Sequence, residues 1–219
     1  MTKISIIQDF IPRTLPTRSG IRITPQFITI HNTDNANRGA GAAAHNAYIR
    51  GSHAVGRKVS WHYSVDDKQV FQHLPTNERG LHAGTTDGNN RSIGIEICMN
   101  SDMDTTKAYR QAAALVAHCV ASLSLPFPGC MKQHNNWSGK NCPSLIRAGR
   151  PMSWNDFLSL CREEITARAS GRESAELQPE ITEEQPEWKT EDRDAILESI
   201  ESSMADHGGE EEEGGTPEQ

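Results

Sequence analysis

No stretch of the 219 residues approaches the ~20 consecutive apolar positions of a membrane-spanning helix. No apolar core follows the basic residues of the opening MTKISIIQDFIPR. The first absence excludes a helical membrane span. The second predicts a protein made in the cytoplasm, which would reach an external target only after release through a separate permeabilising protein. Cysteine is sparse and scattered: Cys98, Cys119, Cys130, Cys142 and Cys161 include no close-spaced pair. An odd, dispersed set argues against a disulfide framework and for a reducing compartment with mostly buried thiols. Apolar residues make up 35% of the chain, low enough to predict that part of it does not pack. Internal repeats are absent.

Charge is unevenly distributed, and basic residues are few in the last fifty positions. Residues 171–219 hold 17 acidic residues against Arg172, Lys189 and Arg193, a net −14, leaving 19 basic and 12 acidic residues and +7 in residues 1–170. A basic body with an acidic tail suggests an anionic partner for the body, among nucleic acid, a membrane surface or a polyanionic cell wall. Two readings of the tail stand: it folds back and masks the body, or it keeps the protein soluble.

QFITIH is a short apolar run ending on His31, as in a buried strand. GAAAHNAYIRG reads as a helix, and VSWHYSV and QVFQH flank DDK as a hairpin. SIGIEICMN alternates, with Ile93, Ile95 and Ile97 on one face and Gly94, Glu96 and Cys98 on the other. A long helix is predicted from Thr105 to Ser124, and a last one from about Trp154, where Ser153 and Asp156 offer a capping box. The expected fold class is α/β: one mixed β-sheet flanked by helices over residues 1–169. Residues 170–219 are expected to form an acidic, mostly disordered tail with one amphipathic helix at 191–205 behind a Thr190 cap.

The loop QHNNWSGKNCP carries the strongest chemical signal. His134 and Cys142 offer nitrogen and sulfur ligands for zinc at a spacing a loop can close. His31, at the end of a stiff strand, is the best third ligand, and pairing of the 27–31 and 93–98 strands would bring Glu96 near it. Each of the other histidines, taken alone, reads more readily as a structural or surface residue than as a ligand: His45 in a helix, His53 in a flexible loop, His62 in a hairpin strand, His82 in GLHAG, His118 beside Cys119. Glu96 stands in an apolar strand with small neighbours that leave room for a substrate. It is a candidate general base, or a solvent-facing residue on a half-exposed strand. Lys140 either steadies an oxyanion or is a solvated loop lysine.

FITIHNTDN, SWHYSVDDKQVFQHLP, GLHAG, NNRSIGIEICMN and HNNWSGKNCP, in this order, resemble zinc-dependent N-acetylmuramoyl-L-alanine amidases. The likeness covers roughly residues 20 to 165 and is greatest to the catalytic domains of phage endolysins and Gram-positive autolysins. These share their fold with peptidoglycan-recognition proteins. The resemblance implies one zinc ion held by His31, His134 and Cys142. It implies Glu96 as base, Lys140 beside it, and Trp61, His82 and Trp137 lining a substrate cleft. It also implies hydrolysis of the amide between N-acetylmuramic acid and L-alanine in peptidoglycan by a monomer, with anionic wall polymers as further partners and no nucleic acid. The tail departs from such enzymes in having no recognisable wall-binding module. Three alternatives remain at this point. One is a peptidoglycan-binding module without catalysis, which Cys142 disfavours. Another is a thiol peptidase with Cys142 as nucleophile and His134 as base. The last is a structural zinc site in a nucleic-acid-binding protein, disfavoured because no second close-spaced Cys/His pair exists.

Overall fold

The structure, a computed structural model, describes residues 1–171 and 190–204, with side chains of the last segment described for 194–202. The elements run β1 (Ile6–Gln8), β2 (Phe27–Asn32), α1 (Ala42–Tyr48), α2 (Ser52–Gly56), β3 (Tyr63–Val65), β4 (Val70–Gln72) and α3 (Thr86–Arg91). They continue with β5 (Ser92–Ile97), α4 (Thr105–Ser122), β6 (Met131–Gln133), α5 (Asn135–Ser138), α6 (Ser144–Arg147), α7 (Trp154–Ala169) and α8 (Thr190–Met204). The strands form one six-stranded sheet in the order β1-β4-β3-β5-β2-β6. Among the described strands the β3–β4 hairpin alone is antiparallel, and the other neighbours are parallel. The expected mixed sheet with flanking helices is therefore the observed architecture.

Alternation along the central strands divides the two faces. Ile28 and Ile30 of β2, Ile93, Ile95 and Ile97 of β5, and Tyr63 and Val65 of β3 join the main apolar cluster, which Tyr109, Leu115 and Val116 of α4 and Phe157 and Cys161 of α7 complete. The residues between them, Thr29, His31, Ser64, Gly94 and Glu96, point to the other face and are buried too. The parallel register sets His31 opposite Glu96, as the sequence predicted. Both lie one residue before the carboxyl ends of their strands, and His134 follows β6 directly. Ligand sites in open α/β sheets form at these carboxyl ends, where loops diverge.

The helix caps follow local chemistry. Ser153 and Asp156 form the reciprocal capping box of α7, Asp104 accepts from the Lys107 amide at the start of α4, and Thr85 accepts from Gly88 ahead of α3. His53 lies in α2 rather than in a flexible loop, because Gly51 and Arg57 bracket one short helical turn.

A second apolar cluster gathers Ile11, Ala40, Ala44, Tyr48, Ile49, Trp61 and Leu74, and Ile200 of α8 is fully buried in it. Ile196 and Leu197 pack alongside. A Cβ on Gly39, whose φ is +81°, would lie 2.7 Å from Ile196 Cδ1. The segment expected at 191–205 is thus helical over 190–204. The Thr190 cap expected there lies at the edge of the described residues, and the apolar stripe of α8 seats on α1. The disorder expected for the rest of the tail concerns residues outside those described. Ile200→Asp is expected to lower the unfolding free energy by about 2 kcal/mol and to abolish slow hydrogen exchange in 194–202. Unchanged protection of those amides would show that α8 does not dock through Ile200.

Candidate metal centre

Three side chains from separate elements meet at the strand ends. His31 Nδ1 lies 3.1 Å from His134 Nδ1 and 3.7 Å from Cys142 Sγ. One donor atom from each of these residues falls within 4.8 Å of the others, and all three residues are buried. Zinc bound at about 2.0–2.1 Å from nitrogen and about 2.3 Å from sulfur in a tetrahedron separates its ligands by roughly 3.3–3.6 Å. The donor set and its spacing fit that ion.

The loop after β6 is tied down at several points. His134 donates its amide to Ile30 O (3.3 Å), and Asn135 donates its amide to Cys142 O (3.0 Å). The Asn135 side-chain amide bridges the carbonyls of Gly139 (2.7 Å) and Lys140 (2.8 Å). Gly139, at φ +79°, supplies the left-handed turn that ends α5 and sends the chain back toward Cys142. Asn32 at the end of β2 accepts from the Leu145 amide (3.1 Å), and the Ser144 hydroxyl donates to Asp34. The sulfur is held against β2 by the fold itself.

Glu96 Oε1 lies 3.8 Å from His31 Nδ1, while Oε2 is buried with no hydrogen-bond partner among the described residues. Burial pushes its carboxyl up to about 8; the positive charge of Lys140 pulls it back and Asp34 pushes it further up. Burial, and then the charge of Glu96, also raise the Cys142 thiol, against the pull of Lys140. Two acids held neutral beside two imidazoles describe a pocket whose charged forms require a cation.

The other candidates fall in different places. Trp137 is half-buried at the rim: its indole N–H donates to Thr29 Oγ1 (2.9 Å), and its ring meets Phe27 edge-on with centroids 5.6 Å apart. Trp61, expected on the cleft wall, is only 2% exposed. Its indole donates to Ser64 Oγ (2.8 Å) inside the second apolar cluster, a packing position beneath the surface. His82 does reach the site, but behind it: its Nδ1 is 3.1 Å from His31 Nε2. Gly94 does not leave open room beside Glu96, since a Cβ there would lie 2.7 Å from the His82 ring. Cys98, fully buried, sits 3.9 Å from His45 Nδ1. The space expected for substrate on these two residues is occupied by imidazole rings. Asn32 and Asp34, which tie the sulfur-bearing loop to β2, were not singled out in the sequence; their position one and three residues past His31 was the available signal.

In the metal-free protein the unfolded chain releases the Glu96 proton near the ordinary value of 4.5, while the folded chain keeps it up to about 8. Ionisation then favours unfolding, and stability is lost as pH rises through that interval. Urea unfolding of chelator-treated protein is expected to show wild-type stability falling more from pH 5 to pH 8 than that of Glu96→Gln. Equal pH dependence in the two would show that Glu96 is not held neutral.

The N-acetylmuramoyl-L-alanine amidase family model matches residues 22–145. Among curated relatives, N-acetylmuramoyl-L-alanine amidase XlyA of Bacillus subtilis (strain 168) is 45% identical over 156 residues, covering 70% of this chain and 50% of XlyA. N-acetylmuramoyl-L-alanine amidase CwlH of the same organism is 38% identical over 159 residues, covering 71% of this chain and 60% of CwlH. The chain thus spans about half to three fifths of the length of these relatives. A solved structure of the catalytic domain of XlyA superposes with a TM-score of 0.66 at 41% identity, covering 72% of this chain and 99% of that domain. A solved structure of PlyL gives a TM-score of 0.58 at 28% identity, over 73% of this chain and 97% of that one.

Proposed function

Because the chain belongs to the N-acetylmuramoyl-L-alanine amidase family, we propose that it is a zinc-dependent hydrolase of bacterial peptidoglycan. The bond cut would be the amide between the lactyl group of N-acetylmuramic acid and L-alanine. The observation that carries this reading is the meeting of His31, His134 and Cys142 beside an unpartnered Glu96 carboxylate oxygen.

His31 and His134 would hold the ion through their Nδ1 atoms and Cys142 through its thiolate. Zinc in such a set would supply Lewis acidity and lower the pKa of a bound water toward about 7. Glu96 takes the proton of the attacking water as oxygen adds to the lactyl carbonyl. The same carboxyl then delivers that proton to the alanine nitrogen as the C–N bond breaks, leaving a muramoyl carboxylate and a free amino terminus. Lys140, whose charge acts on both Glu96 and Cys142, places positive charge where the tetrahedral oxygen becomes negative. Trp137 at the rim offers an apolar face to the substrate. The +7 balance of residues 1–170 suits a wall carrying anionic polymers, an attraction that weakens as salt rises.

The thiol-peptidase alternative is disfavoured by a specific observation. Cys142 is 1% exposed and its thiol is raised by burial, whereas a nucleophilic cysteine needs exposure and a lowered pKa.

Digestion of purified Gram-positive peptidoglycan, with new chain ends identified by mass spectrometry, tests the reading. Stem peptides with fresh N-terminal alanine, lost on chelation and restored by zinc, are expected. New ends inside the stem peptide, or binding without cleavage, would overturn it. Glu96→Gln is expected to retain zinc while losing at least about 100-fold in turnover; wild-type-like turnover would remove Glu96 from its role. Cys142→Ser is expected to bind zinc more weakly, and an unchanged metal content would remove Cys142 from the ligand set.

A further inference from the structure

We infer that His82 is a positioning residue, which fixes the tautomer and ring orientation of His31 so that Nδ1 of His31 faces the metal. The inference rests on the zinc reading above. His82 Nε2 lies 3.3 Å from the carbonyl oxygen of Ser92, an atom that only accepts, so Nε2 carries the hydrogen. In a neutral imidazole Nδ1 then carries the lone pair. That atom is 3.1 Å from His31 Nε2, which must donate to it. His31 in turn presents its lone pair at Nδ1, the atom facing His134 and Cys142. Metal-ligating histidines commonly donate their second N–H to a carboxylate, water or backbone carbonyl. Here a backbone carbonyl is reached through an intervening imidazole.

The surroundings are built around that ring. A Cβ on Gly94 would lie 2.7 Å from His82 Cγ, and one on Gly80 would lie 3.0 Å from His82 Cδ2. Two glycines therefore open the slot in which the ring lies flat against β5. Asn89 Oδ1 accepts from the amides of both His82 (2.9 Å) and Ala83 (2.8 Å), fixing the backbone that carries it. Thr85, capping α3, anchors the far side of the same loop. The rings of His31 and His82 stand at 85° to each other, the disposition of an in-plane N–H reaching the neighbouring ring's lone pair.

The test compares full-length wild type with His82→Ala and His82→Asn. Zinc affinity is read by competition with a chromogenic chelator, the His31 tautomer by nitrogen-15 NMR of the metal-free protein, and folding by circular dichroism. His82→Ala is expected to weaken zinc binding by about 10- to 100-fold and to lose the predominance of the Nε2–H form of His31. His82→Asn, whose side-chain oxygen can accept in place of Nδ1, is expected to keep affinity within several-fold of wild type. Wild-type affinity in His82→Ala, or equal losses in both variants, would overturn the inference. If His82→Ala does not fold, His82→Asn and the wild-type spectrum decide, and a His31 carrying its hydrogen on Nδ1 overturns it. Failure of wild type to bind zinc would instead sink the metal reading, while the NMR tautomer would still report the His31–His82 bond.

Discussion

The parallel pairing of β2 with β5 sets His31 level with Glu96, and the site depends on that register more than on any single bond. In a strand of period two, a slip by one residue exchanges the faces. Slipping β5 would turn Glu96 into the layer occupied by Tyr109 and Phe157 and bring an isoleucine beside His31. The register is strongly enforced because the opposite face is predominantly apolar, with Ile28, Ile30, Ile93, Ile95 and Ile97 each fully buried. The hydrophobic face thus aligns the polar one, and the loop after β6 has only to add His134 and Cys142.

The residues so aligned are poorly solvated. Glu96 keeps one oxygen without a partner among the described residues, and burial raises both its carboxyl and the Cys142 thiol. A buried acid that stays neutral has no strong attraction for its surroundings. A divalent cation reverses this by favouring both charged forms at once, so metal binding releases protons and deepens with rising pH. The cost of placing these groups in the interior is one that a bound cation would offset far more fully than water.

Much of this was legible in the sequence, and the rest was hidden for identifiable reasons. The alternation of SIGIEI, the run ending at His31 and the Ser153/Asp156 box are local patterns, and the structure has each where the pattern put it. β1 and β6 are three residues each, too short for periodicity to register, and they exist because neighbouring strands offer hydrogen bonds. His82 lies in a glycine-rich loop, where a histidine that contacts solvent and one that contacts another histidine read alike. Its partners, His31, Ser92 and Gly94, are 10 to 51 residues away. Trp61 carried the opposite ambiguity: an aromatic in a motif suggests a cleft wall, and packing against Tyr48 and His73 placed it inside.

The tail shows why charge alone was a weak guide. A −14 segment beside a +7 body left fold-back and solubility both open, and the one described part of it, α8, meets α1 through Ile196, Leu197 and the fully buried Ile200. Among the described residues His53 Nδ1 also lies 2.6 Å from Glu201 Oε1 at this junction, between side chains 52% and 40% exposed, a setting in which even a charged pair contributes little. Salt would screen that pair without removing the apolar contact. Ser199 also accepts from Asn35 (3.3 Å), four residues past His31. The helix therefore rests partly on the segment that leaves β2 and partly on α1, joining the candidate metal centre's strand to the second apolar cluster.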